Sequence, residues 1–346
     1  MAEAEYEDSL GGVQALSAAI AAFRADPTDA TLEAARQAWL DSRVSYLQTE
    51  PWRYYGGPIE QGDPEREGAL NGWPIDESVI DYVVDPASGE IVMGGVVNST
   101  DPIDGPLLRS LNATASETAL TTGYHPIEFL LWGQDDPSES GPGNRPLTDF
   151  TTDPQAERRL TYLTVAAQLM EEDLAGVLAE WRDEPTTFRT AFREGDPQDR
   201  LADVFLGLAS MSGPELAGER IGVALDTRDQ EDEHSCFSDN THHEIYLDAL
   251  GIRNVYLGEY VRTDGTRVEG PSPSDLVRAR DPDLDARIRE QLDMSVSLAM
   301  ALPGPFDEMI LSPAGRAQLD AVVTPLFLQS DLFVEAAALF EIDLTL

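Results

Sequence analysis

The sequence predicts an all-α protein: two packed, four-helix-bundle-like helical bundles with long Gly- and Pro-rich loops and at most a short β-hairpin. Three observations predict it. Apolar residues recur at three- and four-residue intervals through most of the long segments, the period of a helix with one buried face. Helix-starting residues, Asp or Thr beside Pro, stand just ahead of several of these segments. Strand-like patterning is confined to a few short stretches.

Taken in order, residues 9–24 repeat Leu10, Val13, Leu16, Ile20 and Phe23, and residues 29–48 repeat Leu32, Ala35, Trp39, Val44 and Leu47. Further helices are expected over 115–132, 155–182, 199–211, 284–302 and 314–341. Asp26-Pro27-Thr28-Asp29, Asp153-Pro154 and Asp281-Pro282-Asp283 supply the caps. Segments 79–84 and 90–97 suit a hairpin around Asp85-Pro86-Ala87-Ser88-Gly89, and 254–261 suits another short strand. The loops 50–76, 85–106, 133–153 and 262–274 are long, and long loops in a compact domain carry function or hold helices apart. The stretch 133–153 separates two helix-rich halves. The expected domains are therefore 1–150 and 151–346, one bundle each.

Composition narrows the function. The chain has 346 residues, 42% of them hydrophobic, enough for a sizeable core. Its 64 acidic residues face 23 basic ones, a formal net charge of −41, and every basic residue is arginine. Such a surface repels phosphate backbones and anionic head groups, so nucleic-acid and anionic-membrane partners are not expected. The acids are spread evenly, which suits a salt-rich environment in which self-repulsion is screened. With Cys236 as the only cysteine there is no intrachain disulfide and no Cys-only zinc site. No apolar run is expected to reach the roughly 18 residues of a membrane span. The opening residues Met1–Asp8 lack a basic region and an apolar core. They suit a cytosolic start, or an exported protein whose signal has been removed.

Three segments carry chemistry. In Gly123-Tyr124-His125-Pro126-Ile127-Glu128, His125 and Glu128 stand three apart, on one helical face. An imidazole and a carboxylate so placed can chelate one ion. A helix-start histidine with a capping glutamate gives the same spacing, but the apolar Phe129-Leu130-Leu131-Trp132 buries the pair and demands partners for it. Pro126 disfavours helical dihedrals at His125, so the backbone either kinks there or starts a new helix at Pro126. The second segment, 229–244, gathers His234, His242, His243, Cys236 and several carboxylates. It shows no standard zinc spacing, and nothing marks Cys236 as an activated nucleophile. Asn240 or Thr241 suits a helix N-cap there. The third, 43–60, sets Arg43, Tyr46 and Glu50 in a polar stripe, either an exposed ion-pair face or one that points Glu50 into a shared pocket.

Together these segments resemble the imelysin, or M75 peptidase-like, family. Gly123, His125 and Glu128 match its Gly-x-His-x-x-Glu hallmark, followed by Phe129-Leu130-Leu131-Trp132-Gly133. Arg43, Tyr46, Thr49-Glu50 and Gly57-Pro58-Ile59-Glu60 resemble a first block. Ser235-Cys236-Phe237-Ser238-Asp239-Asn240-Thr241-His242, with Gly251-Ile252 and Asn254–Gly258, resembles a later one. The resemblance implies two packed bundles with the motif between or beside them. It also implies export to the periplasm or cell surface, and a role in iron acquisition or iron-responsive physiology, alongside other iron-uptake proteins of the envelope. Carried over position by position, His125 and Glu128 lead the metal candidates, with Glu50, Asp239 and His242 behind them; no catalytic residue is assigned. The departures are the missing signal segment and Pro126.

The expected function is thus a metal-binding accessory, with iron as the ion because oxygen donors and one imidazole suit it. A metallopeptidase is the first alternative. Against it, the motif lacks the second histidine and the order of His-Glu-x-x-His. The other alternative is a partner-binding protein in which His125 and Glu128 pair with Arg43 or Tyr46 to lock two helices together.

Overall fold

A computed structural model of the chain describes residues 1–61, 66–85, 88–136 and 141–346. Helices Ala2–Ala25 and Asp29–Tyr46 form a hairpin closed by Thr28, whose side chain accepts from the Thr31 N–H in a capping box. Against them lie Tyr124–Trp132 and the long Ala156–Trp181. Their apolar faces meet in one core through Leu16, Phe23, Trp39, Phe129, Leu163 and Leu174. A second core joins Pro197–Ser210, Thr241–Leu257, Pro282–Met300 and Pro313–Ala338 through Phe205, Ile252, Leu292 and Phe333. Among the described residues the chain is helical with two small sheets, as the helical period foretells.

The division between the cores is not at residue 150. Helix Ala156–Trp181 buries Leu160, Met170 and Val177 in the first core, and the second begins at Phe205. The 133–153 stretch is not a linker between the cores either. Its described part is pinned down: Arg145 N–H donates to Trp132 O at 2.6 Å and Gly143 N–H to Phe237 O at 3.0 Å. Gly and Pro there mark a tightly fitted crossing.

Other differences have local causes. The helix expected from residue 115 starts at Tyr124, because the Thr121 and Thr122 N–H groups are taken by Asn112 Oδ1 at 2.8 and 3.2 Å. The 83–84 and 91–92 pairing matches the expected hairpin, although Pro86 and Ala87 of its turn lie outside the described residues. A second hairpin exceeds the expectation of one. Of the strand expected over 254–261, residues 254–257 instead end helix Thr241–Leu257, and Glu259–Val261 pairs with Arg267–Glu269. Helix Pro313–Ala338 is long and apolar enough to cross a membrane, which the reading of the sequence had not expected. Its Leu319, Val322, Leu326 and Phe333 are core residues of the second bundle.

Within the second bundle, Pro197–Ser210 passes into a π-helical stretch, Met211–Val223. Its wider turn brings residues five apart together. Glu215 and Arg220 use this: Arg220 Nε donates to Glu215 Oε1 at 3.0 Å.

Candidate metal centre

Gly123 decides how the motif helix begins. Its φ of +98° is open only to a residue without Cβ, and a Cβ there would sit 2.5 Å from Leu70 O. The helix starts afresh at Tyr124, two residues before Pro126. Proline then falls in the first turn, where a missing N–H costs no helical bond. His125 and Glu128 are both buried, and His125 Nδ1 lies 2.8 Å from Glu128 Oε2. Glu128 Oε1 accepts from the Ser238 N–H at 3.0 Å and the Ser238 hydroxyl at 2.7 Å. The motif is thereby fastened to the 229–240 loop.

His125 Nε2 is buried and has no hydrogen-bond partner. His125 lines a cavity of about 20 Å³ whose wall also includes Trp73, Glu233, His234 and Cys236. That is room for one water or one bare ion. Burial first, then the Arg43 charge, pushes the His125 pKa down to about 3, so the ring is neutral. Burial first, then the Glu244 charge, pushes Glu128 up to about 8 against the Ser238 hydrogen bonds. The 2.8 Å contact accommodates two proton placements. Either Nδ1–H donates to an ionised Glu128, leaving Nε2 open, or a protonated Glu128 donates to Nδ1.

His234 stands beside His125, ring centroids 5.0 Å apart, but its nitrogens are both engaged. Nδ1 meets Glu244 Oε2 at 2.6 Å and Nε2 meets Asn71 Nδ2 at 3.4 Å. Burial, followed by the Arg220 charge, lowers its pKa to about 3. Glu244 also takes Arg43, Nε to Oε1 at 2.7 Å and Nη2 to Oε2 at 3.1 Å, while Arg43 Nη1 donates to Asn71 Oδ1 at 2.6 Å. Burial alone would raise the Glu244 pKa, yet the charge of Arg43 and the contact with His234 hold it well below the carboxylate range. Arg43 is enclosed by the rings of Tyr124, Trp39 and Tyr46, its guanidinium carbon 4.4, 5.4 and 5.6 Å from their centroids. The expected pairing of Arg43 or Tyr46 with the motif is therefore corrected: Arg43 serves Glu244, which the sequence reading had not singled out.

Glu50 is corrected too. It is buried in the turn Leu47–Trp52, where Arg220 binds it closely and Arg53 Nη1 donates at 3.2 Å. A cation would have to displace two guanidinium groups, so Glu50 belongs to an arginine network. Asp239 is placed differently again. Its carboxylate gathers with those of Glu233 and Asp307, one oxygen from each lying within 4.8 Å of the others. His242 lies outside this group. It is half-buried, packed against His243 and Gly304, with Nδ1 unpartnered. Asn240 occupies the predicted cap position, but its side chain caps nothing and instead donates to Glu244 Oε1 at 3.1 Å.

The sequence reading missed Glu233 and Asp307. Glu233 is one of four acids in 229–233, and Asp307 resembles an ordinary first-turn acid of helix Phe306–Leu311. Neither carries a local signal, because their meeting is purely tertiary.

The imelysin family model matches residues 2–333. The chain belongs to the imelysin family. It is similar to iron-regulated protein A of Synechococcus elongatus, 25% identical over 337 residues, covering 94% of this chain and 80% of that protein. Among solved structures it resembles a putative iron-regulated protein A precursor from Parabacteroides distasonis. The TM-score is 0.68 at 18% identity, over 96% of this chain and 92% of the other. It also resembles an imelysin-like protein from Psychrobacter arcticum, TM-score 0.67 at 12% identity, over 100% of this chain and 93% of the other. Loops from both halves of the chain converge on the motif helix: the Leu70 and Ala69 carbonyls lie against Gly123, and Ser238 binds Glu128.

Proposed function

We propose that this imelysin is an exported accessory of iron acquisition that takes an iron ion at His125, with envelope iron-uptake proteins as its partners. One observation carries the reading. A neutral imidazole meets the Glu128 carboxyl at Nδ1, its buried Nε2 has no protein partner, and the residue lines an ion-sized cavity. A carboxylate behind a ligating histidine fixes the ring and raises its basicity. Ligation through Nε2 needs the placement in which Glu128 is ionised and accepts from Nδ1–H, so a cation has to offset the burial that raises the Glu128 pKa to about 8. Glu233, on the same cavity wall with both oxygens unpartnered, offers the hard donor that iron favours. The names of the relatives support the association with iron, and the word precursor in one of them supports export.

The test is ferrous iron added anaerobically to the metal-free full chain, read as thermal stabilisation. The wild type and Glu50→Gln are expected to shift, and His125→Ala is not. No shift in the wild type, or the same shift in His125→Ala, defeats the proposal.

A further inference from the structure

We propose that Glu233, Asp239 and Asp307 form a second cation site, one that takes a hard divalent ion such as calcium through oxygen alone. Oxygens bound to a single ion at about 2.0–2.6 Å lie at most about 5 Å apart. The three carboxylates meet that condition, with one oxygen of each within 4.8 Å of the others. Oxygen-only donors select calcium, magnesium or manganese over softer metals.

A cluster of acids would mean little on an exposed surface. Here Glu233 is 2% exposed, and neither of its carboxylate oxygens has a hydrogen-bond partner within 3.5 Å, the Thr241 hydroxyl lying near enough only to offset part of the rise in its pKa. Oδ1 of Asp239 and Oδ1 of Asp307 are likewise buried and unpartnered. The charges acting most strongly on the three are those of other carboxyls, Asp135 and Glu308 included. Several other buried carboxylates have guanidinium partners, as Glu50, Asp81, Glu244 and Asp248 do. Burial and mutual repulsion raise the pKa of all three, so without a counter-charge they hold protons, and a cation that displaces those protons removes the conflict.

The site has a definite mechanical role. Glu233 and Asp239 bracket the loop that supplies His234 to Glu244 and Ser238 to Glu128, and Asp307 stands on helix Phe306–Leu311 of the second bundle. A cation joining them fastens that loop to the bundle and so sets the partners of the motif. The assignment does not depend on iron at His125. The two sites share Glu233, which faces the His125 cavity as well as Asp239 and Asp307.

The test is calorimetric titration of chelator-treated full chain with calcium chloride. It is run in about 1 M potassium chloride, where the Debye length falls to about 3 Å and the acidic surface is screened. One ion per chain is expected, with a rise in melting temperature. Asp307→Asn removes a charge while keeping the shape, and is expected to weaken calcium binding at least about tenfold. Glu233→Gln serves as the second variant should Asp307→Asn fail to fold. His125→Ala is expected to bind calcium as the wild type does. No stoichiometric binding by the wild type, or wild-type affinity in a folded Asp307→Asn or Glu233→Gln chain, overturns the assignment. Loss of the iron response with calcium binding intact counts against the His125 reading alone.

Discussion

Arg43 and Glu244 form a bidentate ion pair between the first and second bundles, at 2.7 and 3.1 Å, with neither side chain open to solvent. Glu244 then passes the contact to His234, and Arg43 to Asn71. The two halves of the chain are thus joined by hydrogen-bonded charge directly behind the motif.

Breaking this pair from one side leaves a buried charge short of its partner. Arg43→Met is expected to cost about 3–5 kcal/mol in urea unfolding. A double-mutant cycle with Glu244→Gln is expected to give a coupling energy above about 1 kcal/mol. A single-mutant cost below about 1 kcal/mol would contradict this account.

Gly123 and Gly68 should respond in opposite directions to alanine. At Gly123 the positive φ and the nearby carbonyls of Leu70 and Ala69 forbid a Cβ, so Gly123→Ala is expected to lose more than about 1 kcal/mol. Gly68 is helical with open space around it, and Gly68→Ala is expected to gain about 0.5–1 kcal/mol. Melting temperatures of the two variants, measured side by side, decide it.

Ser238→Ala removes the hydroxyl that donates to Glu128 and leaves the backbone N–H in place. The expected cost is about 1–3 kcal/mol, since the carboxyl keeps only part of its hydrogen bonding. Ser238→Thr, which retains the hydroxyl, is the informative comparison. Equal losses in the two would mean that packing, not the hydrogen bond, matters at this position.

Glu5 gives a pH dependence with a definite sign. Its carboxyl is buried in the first bundle beside Trp52, whose Nε1 donates to Oε2 at 2.5 Å. Burial above all pushes its pKa up to about 7; Trp52 and the N-terminal charge act against the rise, and Asp8 adds to it. A folded-state pKa above the unfolded one binds the proton more tightly in the folded chain. The stability from Glu5 is therefore complete below the unfolded value and is lost as pH rises through about 7. Glu5→Gln keeps the acceptor for Trp52 and is expected to flatten the fall in melting temperature over that window. An unchanged slope would show that Glu5 does not titrate there.

Much of the fold was legible because helix formation is local. The Thr28 capping box, the Asp281 cap and the spacing of Leu160, Leu163 and Leu174 are written within a few turns of chain. Legibility failed where a distant group intervened. Asn112 took the N–H groups that would have extended the motif helix to residue 115, and Arg145 fixed a loop that composition marks as a linker. Within the site, His125 and Glu128 were readable as a pair because they lie one turn apart. Glu50 was misread because nothing near it in sequence announces Arg220, which lies 170 positions away.

The sequence by itself determined the helical class, the burial of the motif and the closeness of His125 to Glu128, since each follows from period and hydrophobicity over short spans. Tertiary structure alone decided which buried charges are neutralised. Arg43 reaches Glu244 across 201 positions, Arg220 claims Glu50, and Glu233, Asp239 and Asp307 come together with no arginine. A charge's partner depends on separation in space and on local solvation, and neither is encoded in the spacing of residues along the chain.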